Sequence, residues 1–90
     1  MNGPTVTAGD IHAKIKKTEF IVLPGTTVTI CNLTLENGYS VRGESACVSP
    51  ENFNQALGEK YAFEQAFEKI WALEGYLLKQ KLFEMEQHND

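Results

Sequence analysis

The chain has 90 residues, 42% of them hydrophobic and 22% charged, with a formal net charge of −4. Ninety residues can bury one core and not two, and this composition excludes a disordered chain. An acidic chain meets repulsion at a phosphate backbone, which argues against general nucleic-acid binding. The three lysines Lys14, Lys16 and Lys17 fall short of a basic footprint.

The expected organisation is a single domain over 1–90, with 1–6 and 86–90 as loose termini. Gly3 and Pro4 mark the loose start. Thr7 or Asp10 is placed to cap a short helix over 11–17, with Ile11 and Ile15 four apart on one face. Its lysines would then suit the C-terminal end of the helix dipole.

Phe20 to Leu23 is an apolar run ended by Pro24 and Gly25, which reads as a strand followed by a turn. Thr26 to Leu35 is rich in threonine and branched residues and reads as a second strand. Its alternation changes phase: Val28 and Ile30 share one face, while Cys31, Leu33 and Leu35 share the other. Either a bulge near Ile30 and Cys31 or cover on both faces would reconcile the two.

Glu36-Asn37-Gly38 marks a hairpin. A two-residue Asn-Gly turn would set Leu33 opposite Arg42. A three-residue turn with Gly38 in the left-handed region sets Leu33 opposite Val41 and Leu35 opposite Tyr39, matching apolar with apolar. The second register is expected, with the returning strand over 39–44.

Ser49-Pro50-Glu51 reads as a helix start, with Ser49 as cap and Pro50 at the first position. From there Phe53, Leu57, Tyr61, Phe67, Ile70, Trp71, Leu77 and Leu78 recur at helical spacing nearly to the end. A straight helix over 50–85 would be roughly 54 Å long. A compact chain of this size has a radius of gyration of about 12 Å. The helix must therefore break, near Leu73 to Gly75 or less readily at Gly58, or pack against a second copy. The fold class is α+β: a three-stranded antiparallel meander on a long, broken C-terminal helix, with a short N-terminal helix.

Catalytic chemistry has little to work with. His12 and His88 lie at opposite ends, and neither they nor Cys31 and Cys47 stand at metal-ligand spacing, so no metal site, cofactor or enzymatic activity is expected. Without a secretory signal or a long apolar run, the expected place is a cytoplasm, with free thiols and no membrane.

The polar group with most potential is Arg42, Glu44 and Ser45, with Asn52 at the helix start that follows. Free amides at a helix start and a nearby arginine suit an anion; an Arg42–Glu44 surface pair beside an ordinary cap explains the same residues structurally. On the C-terminal helix, Trp71, Glu74 and Tyr76 are candidate partner contacts. Phe63 lies about 200° around the helix from Tyr61, so aromatic area occupies more than one face. That surplus suggests a homodimer or a partner protein.

The stretch LPGTTVTICNLTLENGYSVRGESACVSPENF, followed by KIWALEGYLLKQKL, resembles a family of short tailed-phage proteins of unassigned activity. The family is labelled by gp-forty-nine and gp-sixty-six of two podoviruses. The resemblance spans about Leu23 to Leu82 and is most specific at Gly43-Glu44-Ser45-Ala46, Pro50-Glu51-Asn52-Phe53 and Trp71 through Leu78. The resemblance implies a phage origin and no mechanism. Small size, acidity, the lack of catalytic groups and the surplus of aromatic area then suggest a non-enzymatic phage accessory protein in the host cytoplasm that binds and antagonises a host or defence factor. The alternative is a homo-oligomer that sequesters a small anionic ligand such as a nucleotide.

Overall fold

A computed structural model describes residues 5–88. The element order is α1 (Ala8–Lys14), β1 (Ile15–Val22), β2 (Val28–Leu35), β3 (Ser40–Ala46), a 3-10 turn (Pro50–Asn52) and α2 (Gln55–His88). The three strands form an antiparallel meander in the order β1-β2-β3, and α2 lies across β2 and β3. The architecture is the expected α+β.

Thr7 caps α1 through a reciprocal arrangement. Its hydroxyl accepts from the Asp10 amide at 3.1 Å, while its own amide donates to the Asp10 carboxylate at 3.0 Å. These bonds hold the Asp10 carboxyl below its ordinary range. The helix ends at Lys14, so Lys16 and Lys17 belong to β1 instead of to the helix. Strand pairing with β2 overrides the short helical pattern there, and the register shift between Ile15 and Lys17 marks the transition.

Leu23-Pro24-Gly25-Thr26 closes the first hairpin, with the Thr26 amide donating to the Leu23 carbonyl at 3.1 Å and Gly25 at φ 76°. Proline followed by a residue at positive φ is the type II pattern. In the second hairpin Leu33 pairs with Val41, the Leu35 amide donates to the Tyr39 carbonyl at 2.8 Å, and Gly38 sits at φ 93°. The apolar-to-apolar register is the one adopted.

β2 carries no bulge: its pairing with both neighbours is continuous from Thr29 to Leu33. Thr29, Cys31, Leu33 and Leu35 are all buried on the inner face, and Val28 and Ile30 are half-buried on the outer one. The change of phase was an effect of chemistry, because a polar residue, Thr29, occupies an inward position. Gly58 of α2 leaves room for it; a Cβ there would stand 2.6 Å from the Thr29 hydroxyl. Gly58 is thus a packing position and not a break.

Ser49 makes no capping bond to an amide. Its hydroxyl donates to the Glu51 carboxylate at 3.1 Å, and the Ser-Pro-Glu signal yields one 3-10 turn. The cap of α2 is Asn54, whose Oδ1 accepts from the Leu57 amide at 3.1 Å. Asn54→Ala is expected to lower stability by about 1 kcal/mol in chemical denaturation, and Ser49→Ala to change it little. Equal losses at both positions would contradict this assignment.

The expected break does not occur. α2 runs unbroken for 34 residues, through Leu73 to Gly75 and through 86–88. No proline follows Pro50, and one helical glycine costs only about 1 kcal/mol, less than losing a turn of backbone bonds. The molecule is accordingly long, 62 × 26 × 17 Å, with a radius of gyration of 17.0 Å.

The core joins the two layers. Ile11, Cys31, Leu33, Leu35, Val41, Ala62, Ala66 and Ile70 form one buried cluster, flanked by Val6, Ile15, Phe63, Phe67 and Trp71. Residues 1–4, 89 and 90, including parts of both expected loose termini, lie outside the described residues.

Candidate functional site

The polar residues singled out in the sequence do not converge. Alternation along β3 sends Arg42 and Glu44 to the outer face, exposed, and Ser45 toward α2. The Arg42 guanidinium donates to Asn32 Oδ1 and Ser40 Oγ, both at 3.2 Å, while Ser45 Oγ donates to the Gly58 carbonyl at 2.7 Å. Arg42 and Glu44 form no ion pair among the described residues.

The backbone of these same residues has a structural task. β3 is an edge strand, and α2 covers its open side: the Glu44 amide donates to Gln65 Oε1 at 2.7 Å, and the Arg42 carbonyl accepts from Lys69 Nζ. Side chains from a neighbouring helix thereby satisfy an edge that could otherwise pair with another strand. Asn52 lines a hollow of about 210 Å³ with Ser45, Cys47, Phe53, Leu57 and Tyr61, between the β3 edge and the start of α2.

Glu74 clamps α1 to α2. Its carboxylate stands 2.7 Å from Lys14 Nζ, and this bond raises the Lys14 ammonium above its ordinary value. Trp71 is half-buried at the edge of the core, in edge contact with Phe67 at 6.4 Å between centroids. His12 of α1 lies over the same aromatic row, 4.7 Å from Phe67 and 6.2 Å from Phe63. Sequence reasoning left His12 without a role, and the i,i+4 row Phe63, Phe67, Trp71 was the signal that could have found one. Both thiols are free; Cys31 is buried in the core, which pushes its thiol up, and Cys47 donates to the Ser49 carbonyl at 3.1 Å.

Among the described residues, two of the exposed apolar surfaces lie next to the aromatic row and the core. The first is the C-terminal part of α2. Trp71 is its last residue packed on the core, and Glu74 makes its last side-chain bond to another element among the described residues. Beyond it Tyr76 is 71% exposed, Phe83 48% and Met85 59%. The second is the inner face of β1. Thr18, Phe20 and Val22 pair with Leu33, Cys31 and Thr29 and so face the helix layer, yet 16–21 are exposed throughout. An open groove of about 530 Å³ lies there, between Thr18 and Phe20 on one side and Lys60, Phe63 and Glu64 on the other.

Among the described residues no group of His, Cys, Asp and Glu is placed to hold a metal ion, and no helix is long and apolar enough to cross a membrane. The chain matches no curated protein and no solved structure. Residues 6–82 match the model of the phage protein (N4 Gp49/phage Sf6 gene 66) family, more than half of the chain and including every strand and the whole of α1. The chain therefore belongs to the phage protein (N4 Gp49/phage Sf6 gene 66) family.

Proposed function

We infer that this is a phage accessory protein that acts without catalysis, by binding a protein of the host cell. The observation that carries this reading is the pair Tyr76 and Phe83 on the projecting part of α2. Seven residues apart, they lie within about 20° of each other around the helix, so they present one continuous aromatic face. Exposed aromatic area on a projecting helix is the chemistry of a protein contact, since tyrosine and phenylalanine bury much surface at little cost in side-chain freedom. A face of this kind suits a groove or helix on a partner, and the host cytoplasm, where a phage protein is made, supplies the partners within reach.

The test is capture from infected-cell lysate with the tagged parent and with Tyr76→Lys/Phe83→Lys. Both side chains are exposed, so the variant is expected to keep its fold by circular dichroism and to lose the captured host protein. A variant that captures the same protein in the same yield would refute this face as the binding surface.

A further inference from the structure

The two unpartnered surfaces fit each other. We propose that the C-terminal arm of α2 from one copy fills the β1 groove of a second copy, reciprocally, so that two chains pair through antiparallel α2 helices.

The groove exists because one helix is too narrow for the sheet. Helices pack about 10 Å apart and strands about 4.8 Å, so a three-stranded sheet needs more than one helix to cover its inner face. Here α2 covers β2 and β3, and the short α1 reaches only the end of β1 and the row of Phe63 and Phe67. Phe20 is left 38% exposed on a face that should be interior. The missing element is a second helix beside α2, and the chain carries one in its own projecting half.

Length agrees with this. The arm from Glu74 to His88 is about 21 Å long at 1.5 Å per residue, and the groove alongside α2 from Ala56 to Glu68 is about 18 Å. Placing one on the other sets the two-fold axis near Ala72. The contact is then isologous and closes at two copies.

Apolar surface and charge agree as well. Leu78, Leu82 and Met85 lie on the side of α2 that also carries Phe67 and Trp71, about 150° from the Tyr76–Phe83 face. In the antiparallel arrangement Leu78 meets the partner's Phe67, Leu82 meets the partner's Phe63, and Met85 lies level with the partner's Lys60, where Phe20 lines the groove. On the groove's rim Glu64 and Glu68 are exposed, with Lys60 one turn nearer the start of α2. The arm brings Lys79, which is exposed and makes no ion pair among the described residues. The same register places Lys79 between the partner's Glu64 and Glu68. A parallel pairing would instead set Glu64 and Glu68 against their own copies.

The experiment measures mass and dimer dissociation constant on the full chain, by light scattering and analytical ultracentrifugation. The parent is expected at twice 10.1 kDa in the micromolar range. Lys79→Glu is expected to weaken the dimer at least tenfold, and adding Glu64→Lys and Glu68→Lys in the same chain to recover most of that loss. Leu78→Glu/Met85→Glu is expected to give a folded monomer, since neither side chain belongs to the chain's own core. A parent that stays at 10.1 kDa up to 100 µM (about 5.5 kcal/mol of association at most) overturns the proposal. So does a dimer indifferent to Leu78→Glu/Met85→Glu, or a Lys79→Glu defect that the reversed glutamates do not relieve. The capture variant touches the opposite face, so failure of one assignment leaves the other standing.

Discussion

Gly43→Ala is expected to remove about 3 kcal/mol or more, the greater part of the stability of a small domain. Gly43 lies on the inner face of β3 opposite Cys31, with the backbone of α2 directly over it. A Cβ at this position would overlap the Ala62 carbonyl oxygen and the Ala66 amide nitrogen. Those are backbone atoms of a continuous helix, so no rotamer change can relieve the overlap. The helix must move off the sheet, and the cluster of Ala62, Ala66 and Ile70 on Cys31, Leu33 and Val41 opens with it. Overpacking of this kind costs about 3 kcal/mol or more. A small domain has only about 5 kcal/mol to lose. Urea titration followed by circular dichroism reads the result, and a midpoint equal to the parent's would show that β3 and α2 are not in backbone contact.

Ile70→Ala is the second large effect. Ile70 is fully buried, and it is the bulkiest α2 side chain in the buried cluster, where its helix neighbours are alanines. Its removal leaves a cavity lined by strand residues that are held in register and by a helix fixed at Gly43, so little collapse is available. A loss of about 3–4 kcal/mol is expected, within the range of buried isoleucine-to-alanine changes. Leu77→Ala is the control, because Leu77 is 41% exposed near the hairpin tip and its truncation should cost well under half as much. Comparable losses at both positions would mean that the core extends further along α2 than described.

Much of the fold was legible because local chemistry and tertiary need agreed. Gly38 is favoured at positive φ, and the register it permits joins Leu33 to Val41, so turn and core point the same way. Where the two diverged, the reading failed. Ser49-Pro50-Glu51 has every local mark of a helix start, but the chain must still turn from β3 onto the sheet, and Asn54 begins the helix after that turn. Thr29 hid the phase of β2, since it is Gly58, across the interface, that makes room for an inward threonine. α2 overhangs its domain as its length requires, and of the two remedies a break is absent from the structure.

The candidate site was less legible. Arg42, Glu44 and Ser45 are neighbours in sequence, but period-two alternation keeps Arg42 and Glu44 on the outer face and turns Ser45 inward, and that much the sequence alone could have shown. Glu74 reads as a surface acid until α1 delivers Lys14 to it from 60 residues away. The β1 groove has no local signature, because it arises from what α2 fails to cover.

Amide hydrogen exchange over 78–88, followed against protein concentration, tests the docking of the arm most directly. A helical end of eleven residues without tertiary packing frays and exchanges readily, whereas a docked one is protected. Protection over 78–88 is expected to rise with concentration in step with the dimer, together with protection of β1 at 16–21. Fast exchange of the arm at every concentration would contradict the account, as would full protection at dilutions where the chain is monomeric.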